Sequence, residues 1–179
     1  SEDVSVDLIT SSRSKRRYEK EQFSDRITVY KVPVNNQDIH HSSNAELLRY
    51  AARGLQFSLR LMKEKRYDLS FAFAGVPAGW ISYLLNKIKG LPYLVSLQGT
   101  DVPGFERRYN YLYPFLKPIL RRVWSRAGVV IALNEQMVEL ARQTLPEHRF
   151  PIVPNAVDTN LFHPKPGGTN GAVNILCVG

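Results

Sequence analysis

The sequence predicts an α/β fold, with a doubly wound, mainly parallel sheet and flanking helices. Short β-branched runs alternate with helical patterns along the chain, and this alternation implies crossovers between parallel strands. Polar, glycine-containing loops follow several of the strands, as they do at the ligand-binding edge of such sheets. The 179 residues are 44% hydrophobic, which is enough apolar content for one substantial core.

Two strands are predicted near the start of the chain, at residues 4–10 and 27–34, because both segments are short and rich in β-branched residues. The segment between them, 13–21, is dense in charge and almost free of apolar residues. A solvated loop is the ordinary interpretation of such a run, and an anion-binding loop is the alternative.

A long amphipathic helix follows. Ser43 and Glu46 have the spacing of a capping box, which predicts the start of this helix. Apolar residues then recur on one helical face as far as the basic residues 63–66: Leu47, Ala51, Leu55, Leu59 and Met62.

The remaining elements alternate regularly. Strands are predicted at 68–74, 93–97, 128–133 and 150–153, and helices at 77–90, 112–126 and 134–145. Pro77 suits a first helical position, and Gly90 a helix end. These elements complete a predicted domain over residues 1–154.

The last part of the chain differs in composition. Residues 155–171 are rich in Pro, Gly and Asn and have no apolar period, which predicts an interdomain linker with Asn155 and Asp158 at the hinge. Residues 172–179 regain strand character and are predicted to open a second unit.

The charge balance indicates which kinds of partner the protein binds. Lys and Arg number 24 against 16 Asp and Glu, an excess that favours anionic partners. The basic residues are spread over several elements without a recognised nucleic-acid motif, so nucleic acid is not predicted as a partner.

Cys177 is the single cysteine, and no secretory signal or membrane-length apolar run is present, so a cytoplasmic setting is predicted.

Three loops fall at the carboxyl ends of predicted strands, where ligands bind in open parallel sheets. Gly75 lies in the first loop, the second loop covers 98–104, and Asn134 follows the third strand. Sugar hydroxyls need paired donors and acceptors, and the second loop supplies an amide, a hydroxyl and a carboxylate. The predicted binding residues are Gly75, Gln98, Gly99, Thr100, Asp101 and Asn134. Each loop also has a structural interpretation, as a tight turn or a helix cap.

Three segments resemble, in order, signatures of the family-four glycosyltransferases. They are YLVSLQGTDVPGF at 93–105, WSRAGVVIALN at 124–134 and PNAVDTNLFHP at 154–164. The resemblance implies a Rossmann-like acceptor-side domain, one half of a GT-B fold. It also implies sugar transfer from a nucleoside-diphosphate sugar to a glycan, lipid or small-molecule acceptor, usually with retention and without a metal. A non-catalytic sugar- or nucleotide-binding module is the alternative.

Four positions depart from the family pattern. The family usually has His where Gln98 stands, Asp at Gly128, Ser or Thr at Asn134, and Gly at Ala156. A glutamine only forms hydrogen bonds, so Gln98 is assigned the orientation of a sugar hydroxyl and not proton transfer.

The resemblance further implies that a first strand and a glycine-rich loop of the family lie outside this sequence, as do the phosphate-binding and glutamate positions. We therefore expect the isolated chain to be inactive in transfer. Residues 173–178 are expected to fill the sheet position between the strands at 4–10 and 68–74, because unpaired inner edges are costly. The alternative is a gapped or locally rearranged sheet with the terminal strand loose beside it.

The helix predicted at 112–126 has a basic face that suits anionic membranes, formed by Lys117, Arg121, Arg122 and Arg126. A core-facing helix with a solvated basic face is the alternative.

Overall fold

The computed structural model describes residues 4–35, 43–107, 110–161 and 163, which contain six strands and four helices. The strands are β1 (Val6–Ser12), β2 (Glu19–Ser24), β3 (Ile27–Pro33), β4 (Ser70–Phe73), β5 (Tyr93–Ser96) and β6 (Val129–Ile131). The helices are α1 (Asn44–Glu64), α2 (Trp80–Lys89), α3 (Tyr113–Arg126) and α4 (Glu135–Arg142). The predicted α/β class is confirmed.

The strands form two three-stranded sheets, in the orders β1-β3-β2 and β4-β5-β6. All neighbours are parallel except β2, which runs antiparallel to β3. The predicted mainly parallel, Rossmann-like arrangement with flanking helices is therefore confirmed.

β2 corrects the prediction of a loop over 13–21, because Glu19 already pairs with Lys31 of β3. Every residue of β2 is exposed, so its sequence carries no alternation of apolar and polar residues. The strand forms because a two-residue turn folds it back along β3, and the Glu21 carboxylate lies 2.7 Å from the Lys31 ammonium across the pair.

α1 begins with the predicted capping box. The Glu46 amide donates to Ser43 Oγ at 3.3 Å, and the Ser43 amide donates to Glu46 Oε2 at 2.7 Å. At the other end of the helix, the Lys65 ammonium and the Tyr67 hydroxyl bind Asp7 Oδ2 at 2.7 and 2.5 Å.

These contacts fix the direction of the second sheet. Arg53, in α1, donates to the carbonyl of Pro33 where β3 ends, whereas Lys65 and Tyr67 reach Asp7 where β1 begins. α1 thus returns the chain to the amino edge before β4 starts. The parallel strands of both sheets consequently end at the same side of the domain.

Three predicted boundaries are wrong in detail. The helix predicted from Pro77 begins at Trp80, after a single wide turn over Gly75–Gly79 in which Val76 is extended and breaks the helical path. The helix predicted to reach Leu145 ends at Arg142. The strand predicted at 150–153 is one parallel bridge, between Ala132 and Ile152.

The main core lies between the second sheet and α3. Val95, Val123, Trp124 and Val130 are fully buried there, and the Tyr93 hydroxyl donates to the Val123 carbonyl at 2.5 Å. A smaller apolar cluster, formed by Ile81, Leu85 and Leu91, packs against residues of α1. The core therefore holds β4, β5 and β6 rigidly at the base of the candidate site.

Most of the predicted linker and all of the predicted strand at 172–179 lie outside the described residues. The pairing of 173–178 within the sheet therefore stays a prediction, as do the domain limits. Within the described ranges, no helix combines the length and apolar content needed to cross a bilayer.

Candidate functional site

The candidate site lies where β4, β5 and β6 end. The three strands are adjacent and parallel, and the amide of Leu97 donates to the carbonyl of Ile131 at 2.9 Å, so the ends of β5 and β6 are level. Gly75, the loop 98–104 and Asn134 each follow one of these strands. All of the predicted binding residues therefore lie at one edge of the sheet.

The Asp101 carboxylate joins two of the three loops. Its Oδ2 accepts a hydrogen bond from the Gly75 amide at 2.6 Å, and its Oδ1 accepts from the amides of Gln98 and Gly99 at 2.9 and 3.0 Å. The residue is only 3% exposed. Asp101 thus holds the loop after β4 against the loop after β5.

Burial raises the pKa of Asp101 above its ordinary value, and the backbone amide donors of Gly75, Gln98, Asp101 and Gly99 act in the opposite direction. Both carboxylate oxygens accept hydrogen bonds from backbone amides. This geometry gives Asp101 a positioning role, in which it fixes the shape of the edge where the exposed polar side chains project.

Two glycines of the site are required by packing and backbone geometry. A Cβ atom at Gly75 would lie 2.6 Å from Leu120 Cδ2 and 3.0 Å from Trp124 Nε1. Gly99 has a φ of +112°, and a Cβ atom there would lie 2.7 Å from the Phe105 ring. Both positions therefore exclude larger residues without reference to a ligand.

Three exposed polar side chains line the edge: Gln98, Thr100 and Asn134. Gln98 Nε2 donates to Ser96 Oγ at 3.0 Å, which orients the amide, and Gln98 Oε1 accepts no hydrogen bond from a described residue. Asn134 Oδ1 caps α4 by accepting from the Met137 amide at 2.9 Å, as the sequence predicted. Asn134 is exposed, and its amide nitrogen donates to no described residue.

The two predicted hinge residues are not brought to this edge by any described contact. Asn155 is exposed, and Asp158 Oδ1 accepts from the Asn160 amide at 2.9 Å within a local turn. Their role as a hinge stays a prediction.

Sequence reasoning missed two residues that shape the site. Ser96 orients the Gln98 amide, and the buried Tyr113 donates its hydroxyl to the Thr100 carbonyl at 3.3 Å. The contact of Tyr113 has no local signal, because it joins residues 13 apart and depends on how the loop folds back. The contact of Ser96 is local, but a side-chain bond between residues two apart follows no sequence motif. The three hydrogen bonds from backbone amides to the Asp101 carboxylate are called the Asp101 clamp below. This clamp did have a local sequence signal, since an Asp shortly after a strand and a Gly often binds backbone amides in a turn.

A mainly parallel α/β domain with polar loops at the carboxyl edge belongs to the Rossmann-like class of ligand-binding domains. The glycosyl transferase 4-like domain family matches residues 1–156, and the chain belongs to that family. No curated protein matches the chain.

Family membership makes the chain a glycosyltransferase-family domain, with a sugar donor and an acceptor as its general partners. Among the described residues, no group of three or more His, Cys, Asp or Glu side chains is arranged to hold a metal ion. Transfer without a metal cofactor stays a prediction.

Proposed function

We propose that this domain binds the acceptor in a GT-B glycosyltransferase that uses a nucleoside-diphosphate sugar. The observation that carries the proposal is the clamp by Asp101, which shapes the edge in a chain of the glycosyl transferase 4-like family.

The exposed side chains at this edge suit the recognition of a hydroxylated acceptor. Gln98 and Asn134 each present one end of an amide, and Thr100 presents a hydroxyl, so donors and acceptors are both available. Gln98 is proposed to orient a sugar hydroxyl because an amide forms hydrogen bonds without transferring a proton at neutral pH. Asp101 is proposed to act through the loops that it holds.

The donor is proposed to bind a second Rossmann-like domain, and residues 172–179 are proposed to be its first strand. Transfer is proposed to proceed with retention and without a metal, as the family resemblance implies. Stabilisation of the leaving diphosphate would then depend on groups of that second domain. The 179-residue chain alone is accordingly proposed to bind acceptor without transferring sugar.

Titration of the ¹⁵N-labelled chain with candidate acceptor sugars, followed by NMR, tests the acceptor site. We expect the signals of Gln98, Thr100 and Asn134 to shift together, and Gln98→Ala to weaken binding. Lys89→Ala, on the exposed end of α2, is the matched control. Shifts caused by nucleoside-diphosphate sugars alone would favour the alternative of a nucleotide-binding module, and no shift with any acceptor would overturn the proposal.

Peripheral contact with an anionic membrane is proposed for the basic face of α3. Tyr113, Leu120, Val123 and Trp124 are buried in the core, so the outer face of the helix carries the charge. Arg121, Arg122 and Arg126 are exposed there, beside Phe115, whose exposed fraction is 76%. Basic residues next to an exposed aromatic ring suit an anionic lipid surface. Sedimentation with liposomes tests this contact, and equal binding with and without anionic lipid would contradict it.

A further inference from the structure

The loop between β1 and β2 contains a cluster of basic residues that have no acidic partners among the described residues. Four of its five residues over 13–17 are basic and exposed: Arg13, Lys15, Arg16 and Arg17. None of the four forms an ion pair with a described acidic residue. β2 contains two acids: Glu21 is paired with Lys31, and Glu19 forms no ion pair with a described basic residue. The loop therefore presents an uncompensated cationic surface.

The backbone of this basic loop is held in place at several points. The Ser14 carbonyl accepts from the Asn35 amide at 3.0 Å, and the Lys15 carbonyl accepts from Arg53 Nη1 at 3.1 Å. Tyr18 stacks on Phe57 of α1, with ring centroids 5.3 Å apart. These contacts use the backbone and Tyr18, so the four basic side chains remain available to a ligand.

Ser14 also organises the loop from within. Its Oγ accepts from the amide of Arg17 at 2.8 Å and from that of Arg16 at 3.4 Å. A loop held in this way loses less conformational entropy on binding than a free one. This order separates the loop from an ordinary solvated charge run.

The basic loop lies at the same side of the domain as the candidate site. It follows the carboxyl end of β1, and α1 returns the chain so that β4, β5 and β6 also end at that side. An acceptor that reaches Gln98 and Asn134 therefore approaches the side of the domain at which the basic loop lies.

We infer that the basic loop binds a phosphate group, and that the acceptor of the proposed transferase carries this phosphate. The inference about the acceptor rests on the proposed function, whereas phosphate binding by the loop does not. Guanidinium groups match phosphate oxygens with paired hydrogen bonds, and three of the four side chains are arginines. The phosphate belongs to a soluble phosphorylated sugar or to a lipid headgroup, which share this chemistry.

The test uses the full 179-residue chain and two probes. Inorganic pyrophosphate, titrated by NMR or calorimetry, represents the soluble source. Phosphatidylcholine vesicles with and without phosphatidylglycerol represent the lipid source. The test variant carries Arg13→Gln, Lys15→Gln, Arg16→Gln and Arg17→Gln, which leaves the backbone contacts of the loop intact.

The control variant removes the same number of positive charges near the opposite edge of the sheet, through Lys63→Gln, Arg66→Gln, Lys87→Gln and Lys89→Gln. We expect the loop variant to bind about tenfold more weakly, and the control variant to change binding by less than about twofold. Loss with pyrophosphate assigns a soluble phosphate, and loss with anionic vesicles alone assigns a headgroup.

Equal weakening of both variants would show a general charge effect and overturn the inference, as would the absence of binding to either probe. The outcome is separable from that of the acceptor titration. Phosphate binding at the loop without sugar shifts at Gln98 would leave the loop site standing and contradict the proposed function.

Discussion

At the scale of single residues, the Asp101 carboxylate is the group on which the shape of the candidate site depends most. Replacing it in Asp101→Ala removes the acceptor for the amides of Gly75, Gln98 and Gly99. Because a buried amide without a partner costs about 1–3 kcal/mol, we expect the free energy of unfolding to fall by about 2 kcal/mol or more. Urea denaturation measures this change.

The exposed Asp25, in the turn between β2 and β3, provides the control for that experiment. Asp25→Ala is expected to change the free energy of unfolding by less than about 0.5 kcal/mol. Equal stability of the Asp101 and Asp25 variants would show that the clamp does not contribute to folding.

Gly75 gives a second prediction at this scale. The side chain of Gly75→Ala meets Leu120 and Trp124 at distances shorter than normal contact, so we expect a loss of about 1–3 kcal/mol. Gly128→Ala is the matched control, because its Cβ would lie 3.6 Å from the nearest atom, an ordinary contact. Thermal unfolding of the two variants distinguishes them, and similar melting temperatures would contradict the packing explanation.

The position of the candidate site could be predicted from sequence because it follows from topology. Loops after adjacent parallel strands must meet at one edge, so Gly75, Asp101 and Asn134 were placed together by their order in the chain. The burial of Asp101 could not be predicted, because it depends on how the loop 98–104 folds back on Gly75. The same holds for the contact of Tyr113 with Thr100.

At the scale of elements, Asp7 links the start of β1 to the end of α1. Burial alone would raise the pKa of Asp7, but hydrogen bonds from Lys65 and Tyr67 outweigh it and hold this pKa below the ordinary value. The folded state therefore binds this proton more weakly than the unfolded state does. The resulting stability is fully present above about pH 4 and is lost as the pH falls through the lowered pKa.

Comparison with Asp7→Asn over a pH series tests this link. We expect the melting temperature of the native chain to exceed that of the variant near neutral pH, and the difference to shrink as the pH falls below about 4. Asp68→Asn, at an exposed position before β4, controls for general acid effects. A difference that stays constant down to strongly acidic pH would show that Asp7 does not act through its charge.

The elements that were predicted well are those whose buried faces show as a pattern of apolar residues in the sequence. α1 combines a capping box with an apolar stripe, and β5 is a buried apolar run, so both were placed within about two residues. β2 was missed because it is an exposed edge strand, held by backbone pairing with β3 and not by burial. Periodicity carries no information about a strand whose two faces are both in solvent.

At the scale of the whole molecule, β1 and β4 are edge strands of the two described sheets, and each has a hydrogen-bonded neighbour on one side. Among the described residues, β1 pairs only with β3, and β4 pairs only with β5. The Tyr50 hydroxyl covers one backbone group by donating to the Ile9 carbonyl at 2.9 Å, and burial raises the pKa of Tyr50 to about 12, which keeps this donor protonated.

The side chains along these two strands are also incompletely covered on one face. Asp7 binds Lys65, which follows α1, and Ser70 binds Ser82 of α2, so both side chains point towards these helices. Successive side chains of a strand alternate between its faces, so Leu8 and Phe71 point to the opposite face. Leu8 is 42% exposed, Phe71 49% and Phe73 56%. Strands that combine a free edge with exposed apolar side chains tend to pair with other chains.

If residues 173–178 do not fill the position between β1 and β4, the edges of these two strands stay open to another chain. In that case we expect the purified 179-residue chain to self-associate through them as its concentration rises. The double variant Leu8→Lys with Phe71→Lys should reduce this association, because charge on an edge strand opposes pairing with a second strand. Phe115→Lys removes an even more exposed apolar side chain, but from α3 and away from both edges, so it should leave association nearly unchanged. Sedimentation velocity over a series of protein concentrations measures the association of all three chains. A native chain that stays monomeric throughout would contradict open edges at β1 and β4 and would agree with the expected filling of that position by 173–178. Equal effects of the edge and helix variants would trace association to general hydrophobicity and not to strand pairing.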